Sequence, residues 1–215
     1  MAIILDHLIP IPLKERLLQS RSAIWDTRIQ FDQGEWIKIM AASGKGKSTL
    51  VHILYHIRFD YEGTVWMENK QSDNINRDQL SELRQKKISI IFQDLRLFPQ
   101  LSARENIELK RVMQEPFHKS DRIDEMAEQL GIQPVLNQKA GLCSYGEQQR
   151  IAIIRALMQP FEWLIMDEPF SHLDTTNTQK AAALIEEECR RRNAGFILTD
   201  LDDDTHFPYS RKLNL

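Results

Sequence analysis

The chain has 215 residues and a mass of 25.2 kDa, with 28 Lys plus Arg against 31 Asp plus Glu, a net charge of −3. This near-balance, with a pI of about 6.1, excludes a dedicated nucleic-acid binder, so no nucleic-acid partner is expected. With 42% apolar and 27% charged residues the chain is neither disordered nor fibrous; no apolar run reaches the ~20 residues that span a bilayer, and two cysteines, Cys143 and Cys189, form no disulfide framework.

The first residues, MAIILDHLIPIPLKE, carry no basic leader and are interrupted by an Asp, so no signal peptide is expected. Residues 2–5 and 24–31 read as antiparallel edge strands. Residues 36–40 (WIKIM) read as a strand, 47–57 as a helix, and 64–68 (TVWME) and 88–92 (ISIIF) as strands. From about 102 to 137 the pattern is helical, with no clear strand. A helix at 146–158, a strand at 163–166 (WLIM), a helix at 175–192 and a strand at 196–199 (FILT) complete the chain. Several strands lack polar alternation, as parallel strands covered on both faces do. The pattern predicts one α/β domain of βαβ units around a mostly parallel sheet, with an antiparallel β edge. Its core is expected at about 1–93 and 144–215, with an inserted α-helical subdomain at about 94–143.

Ala41-Ala42-Ser43-Gly44-Lys45-Gly46-Lys47-Ser48-Thr49 follows a predicted strand and opens a predicted helix, the context a P-loop requires. Backbone N–H groups aimed by Gly44 and Gly46 make an anion-binding concavity at a helix N-terminus. Lys47 reaches β and γ phosphates, and Ser48 offers a hydroxyl to Mg²⁺. Ala41 stands where the motif usually has Gly, a mild change if its φ is negative. Downstream, Trp163-Leu164-Ile165-Met166-Asp167-Glu168-Pro169 is an apolar strand ending in two acids. Asp167 suits Mg²⁺, directly or through water, and Glu168 suits a general base that polarises water for attack on a γ-phosphate. ATP and Mg²⁺ are therefore the expected ligands of a P-loop NTPase core.

Three further motifs narrow the reading. Cys143-Ser144-Tyr145-Gly146-Glu147-Gln148-Gln149-Arg150 resembles the signature motif of ABC transporter ATPases, Phe92-Gln93-Asp94 their Q-loop, and Ser171-His172-Leu173-Asp174 their D-loop. The spacings agree: 46 residues from Lys47 to Gln93, 51 from Gln93 to Ser144 and 24 from Ser144 to Glu168. The resemblance implies an ATP-bound homodimer that sandwiches two ATP molecules and drives a transmembrane permease subunit from the inner face of the membrane. It implies that Ser144, Tyr145, Gly146 and Glu147 act on the partner's γ-phosphate and that Asp174 crosses the interface. Gln93 would contact Mg²⁺ or the attacking water. Ser144 with Glu147 is equally a capping box at a helix start, and both roles can hold at once. The stretch from Leu83 through Ile107 looks most like the lipoprotein-release, macrolide-export and cell-division branch.

The chain departs from the family pattern in four places. Ala41 is one, and Tyr145 in place of the first signature glycine is another. No aromatic residue for adenine stacking is found at Leu17-Leu18-Gln19-Ser20; nearby Trp25 reads as core. Asp200 stands where a switch histidine is expected. An anion there would repel a γ-phosphate unless protonated or bridged by metal or water, and His206 lies too far along the chain to substitute. These departures point to slow or partner-dependent hydrolysis. The alternative is a nucleotide-gated dimerising module with little turnover. Arg190 to Arg192 read as a solvated helix end, and Asp202 to Asp204 as an exposed turn.

Overall fold

The computed structural model describes residues 1–17 and 22–215. In chain order the elements are β1 (Ile3–Pro10), α1 (Lys14–Leu17), β2 (Arg28–Phe31), β3 (Trp36–Met40), α2 (Lys47–Leu54), β4 (Tyr61–Met67), β5 (Lys70–Gln71), α3 (Arg77–Lys86) and β6 (Ile88–Ile91). Then come α4 (Ala103–Val112), α5 (Asp121–Gln129), α6 (Tyr145–Leu157), β7 (Trp163–Asp167), α7 (Thr175–Arg192), β8 (Gly195–Asp200) and β9 (Arg211–Asn214).

Two sheets form. The parallel one has the order β6-β7-β8-β3-β9; the antiparallel one has the order β2-β1-β4-β5. The TVWME strand therefore belongs to the antiparallel sheet, paired with β1 from Ile3↔Met67 onward. Four of these elements escaped the sequence reading: the short α1 and β5, and also α3 and β9. α3 opens with a capping box between Asn76 and Gln79, a local signal present in the sequence. β9 alternates exposure along Arg-Lys-Leu-Asn and pairs in parallel with β3; nothing in four mostly polar residues marks it as a strand.

Period-two alternation divides the core between the sheet's faces. On one face Trp36, Leu164, Met166, Phe196 and Leu198 pack with the helices α4 to α7. On the other Ile37, Ile39, Ile165 and Ile197 pack with α2 and the antiparallel sheet. The register brings Met40 opposite Asp200 and Asp167 opposite Thr199. The carboxyl ends of β3, β7 and β8 thus lie side by side, where open parallel sheets hold their ligands. Within residues 102–137 the elements are helical, with no strand, and α4 and α5 both pack on α6.

Among the described residues, no helix is long and apolar enough to cross a membrane.

Candidate functional site

The loop from β3 to α2 needs two residues in the left-handed region, and glycine supplies both: Gly44 at φ 77° and Gly46 at φ 104°. Ala41 is not among the positive-φ residues, so the missing first glycine costs no strain. Behind the loop, Leu13 and Trp25 leave no room for a side chain at Gly46; an added Cβ would stand 2.8 Å from Leu13 and 3.3 Å from Trp25. Trp25 is buried, as the core reading of it required. Gly46 is the N-cap of α2 and no side chain caps that helix. Its first turn is left open, a ready site for an anion.

Lys47 is buried at 5% exposure, and its ammonium donates to the Ala41 carbonyl at 2.8 Å and pairs with Glu168 Oε1 at 3.2 Å. Gln93 Nε2 donates to Glu168 Oε2 at 3.2 Å, and Ser48 Oγ donates to Gln93 Oε1 at 3.5 Å. Lys47, Ser48, Gln93 and Glu168, with Ser43, Gly44, Gly46, Thr49 and Leu13, line one crevice of about 310 Å³; Lys45 is exposed on the loop. An adjoining cavity of about 410 Å³ is lined by Ser48, Gln93, Asp167, Tyr145 and His172, among others. The carboxylates are fixed by neighbours that sequence reading missed. Thr199 Oγ1 donates to Asp167 Oδ1 at 2.7 Å, Glu168 N donates to Thr199 O at 2.9 Å, and Gln149 donates to the Glu168 and Pro169 carbonyls. Glu168 sits at φ 47°, an uncommon conformation for a non-glycine residue, which turns its carboxylate away from the strand line. Ser48, Gln93 and Asp167 can each offer an oxygen donor, the chemistry Mg²⁺ prefers.

The signature residues do not line the P-loop crevice itself, though Tyr145 lines the cavity that adjoins it. Ser144 Oγ accepts from Glu147 N at 3.4 Å, while the Glu147 carboxylate accepts from Ser144 N at 2.7 Å, a complete capping box on α6. Tyr145 is exposed; its ring meets His172 at 4.1 Å, and its hydroxyl lies 3.5 Å from the Gln93 carbonyl. Gly146 is packed on the D-loop, where an added Cβ would stand 3.2 Å from the His172 carbonyl. Asp174 caps α7 by accepting from Asn177 N at 2.8 Å, which holds its carboxyl below the usual range.

Asp200 does not point at the P-loop crevice. Its carboxylate lies 3.3 Å from the ammonium of Lys38, a fully buried lysine in the middle of β3, which also pairs with Asp204. The counter-charge that the described residues bring to Asp200 is thus an ammonium. Asp204 is correspondingly not part of an exposed turn: only 14% of its side chain is exposed. Burial disfavours its ionised form, but hydrogen bonds from Lys38 and Tyr209 outweigh this and hold its carboxyl low. Nor is Arg192 solvated. It is buried against Glu188, His118 and the Leu157 carbonyl, because α7 ends beneath the segment that leads into α5. His206 is exposed and meets the ring of Phe170 at 5.5 Å. Cys143 is buried, and burial pushes its thiol up, which disfavours the reactive thiolate. Of Leu17-Leu18-Gln19-Ser20, residues 18–20 lie outside the described residues; an apolar side chain that lines the crevice is that of Leu13.

Residues 25–171 match the family model described as ABC transporter. The chain is 39% identical over 150 residues to the lipoprotein-releasing system ATP-binding protein LolD of Aquifex aeolicus, covering 69% of this chain and 67% of that one. It is 32% identical over 164 residues to the macrolide export ATP-binding/permease protein MacB of Bartonella henselae, 75% of this chain but 25% of that one. Among solved structures, a dimeric bacterial ABC transporter cassette superposes with a TM-score of 0.75 at 26% identity, over 93% of this chain and 88% of that one. An open helix N-terminus behind a P-loop, two strand-end carboxylates and these likenesses agree: the chain belongs to the ABC transporter family, as an ATPase cassette.

Proposed function

We propose that this chain binds and hydrolyses Mg-ATP as the motor subunit of a membrane permease, working at the inner face of the membrane through an ATP-sandwich homodimer. The observation that carries the proposal is the convergence of Lys47, Ser48, Gln93 and Glu168 on one crevice beneath the uncapped N-terminus of α2. Lys47 and the α2 dipole bind the phosphates. Incoming phosphate competes for Lys47 and releases Glu168 from its 3.2 Å pair, freeing that carboxylate to take a proton from water. Gln93 keeps Glu168 oriented. Ser48, Gln93 and Asp167 would hold Mg²⁺, which when bound neutralises phosphate charge. The exposed Ser144, Tyr145 and Asp174, with Gly146 and Glu147, form the surface offered to the partner's nucleotide. The helical segment within 94–143 is the unit that answers to the permease. LolD and MacB are named for lipoprotein release and macrolide export; permease partnership is the property carried over to this chain.

The test is Glu168→Gln. Turnover should fall by about 10²–10⁴-fold while Mg-ATP shifts the protein from monomer to dimer on size exclusion. Unchanged turnover would sink the assignment of Glu168 and favour a module that dimerises without hydrolysis.

A further inference from the structure

We propose that Lys38 is a positioning residue of the nucleotide site: its buried ammonium neutralises Asp200, and so lets a carboxylate occupy the strand end beside the phosphates without repelling them. The inference rests on the ATP-binding reading of the P-loop crevice.

Asp200 closes β8 between the two strands that carry the site. On one side its carbonyl accepts from Ala41 N at 3.2 Å, the first residue of the P-loop. On the other, Thr199 holds Asp167 by its hydroxyl and Glu168 by its carbonyl. An uncompensated anion at this strand end, bonded through its backbone to the first residue of the P-loop, would add unfavourable charge to the phosphate site. Lys38 is the only cation the described residues bring to Asp200 by an ion pair. A lysine at 0% exposure in mid-strand is costly unless matched, and here it is matched twice, by Asp200 and Asp204.

The arrangement also spans the sheet. Lys38 lies on β3, Asp200 ends β8, and Asp204 belongs to the loop that returns to β9. That loop is tied in turn: Tyr209 donates to Asp204 at 2.7 Å, the Asp204 carboxylate accepts from His206 N at 2.9 Å, and Lys212 pairs with Asp203. Phe207 packs against Trp36, Phe170 and Phe196. With one carboxylate Lys38 would be balanced; with two, Asp204 anchors the ammonium and keeps it in place for Asp200.

The experiment measures Mg-ATP and Mg-ADP affinity, by fluorescent-nucleotide titration, on the full chain and its Lys38→Met, Asp200→Asn and Lys38→Met/Asp200→Asn variants. Lys38→Met should weaken Mg-ATP binding by about tenfold or more, and Mg-ADP binding by less, because ATP carries more charge. Asp200→Asn should bind Mg-ATP as wild type or more tightly, and the double variant should return to near wild type. Circular dichroism checks each fold. If Lys38→Met does not fold, Lys38→Met/Asp204→Asn replaces it, since it removes the orphaned buried carboxylate and leaves Asp200 alone without a counter-charge. A folded Lys38→Met variant whose loss is equal for the two nucleotides, or is not restored by Asp200→Asn, would overturn the proposal and leave Lys38 a structural ion. Wild-type protein that binds no Mg-ATP would overturn this inference together with the reading beneath it.

Discussion

The P-loop crevice and the cluster around Glu188 are both built from buried charge, and they treat it in opposite ways. At the crevice, Lys47 has one carboxylate partner, Glu168, at 3.2 Å, and the first turn of α2 has no capping side chain. At the cluster, Glu188 is fully buried on α7 and meets His118 at 2.8 Å, Arg122 at 2.8 Å and Arg192. Elsewhere the chain shows that it can close a helix end: α3, α4 and α6 all begin with complete capping boxes. α2, like α5, begins without a side-chain cap, and α2 is the one whose first turn lines the crevice. Charge that the protein satisfies internally joins elements together; charge that it leaves open is available to a ligand.

The comparison makes separable demands. Glu188→Ala leaves buried Arg192 and His118 without their carboxylate, while Arg122 keeps Glu125 and Glu187, and should destabilise the fold by about 3–5 kcal/mol, read by denaturant titration, with Mg-ATP affinity of the folded fraction unchanged. A loss of nucleotide affinity at unchanged stability would break the distinction. Acid should reproduce part of this effect. Burial opposes ionisation of Glu188, yet the hydrogen bond from His118 and the charge of Arg192 hold its carboxyl down at about 2, against an ordinary value of 4.5. A depressed folded-state value stabilises above the unfolded value and is lost as pH falls through the folded one. Stability should thus drop by about 3 kcal/mol between pH 4.5 and 2 in wild type, on the scale of 1.36 kcal/mol per unit, and by much less in Glu188→Gln.

The crevice should respond in the other sense. Leu13→Trp places an aromatic plane beside Gly46, and should tighten Mg-ATP binding by about 1–2 kcal/mol with little change in unfolding, read by nucleotide titration. The smallest effect sits between the two regions. Ser144→Ala removes the cap of α6 and should cost about 1 kcal/mol of stability. Under the proposed function it also weakens ATP-dependent dimerisation, so the two readouts together separate its capping role from its role across the interface.

Much of the nucleotide site was legible in the sequence because its parts are local. Glycines at 44 and 46, Lys47 and Ser48 lie within one turn of each other, and Asp167 and Glu168 are neighbours on one strand. The helix at 175–192 was read at its observed ends, where Asp174 caps one terminus and Asn193 adopts φ 50° at the other. Even the capping box of α6 was legible, since Ser144 and Glu147 are three residues apart.

What spacing along the chain could not decide was partnership across it. WIKIM was recognised as a buried strand, and Asp200 as an awkward anion, but 162 residues separate Lys38 from Asp200. Only the insertion of β3 between β8 and β9 puts them together, along with Asp204 from the loop that joins those strands. Arg192 reads as a solvated helix end until the segment before α5 covers it with Phe117 and His118. Local motifs are set by bonds and periodicity, which a sequence carries directly; counter-charges are set by strand order and packing, which assign neighbours only once the chain has folded.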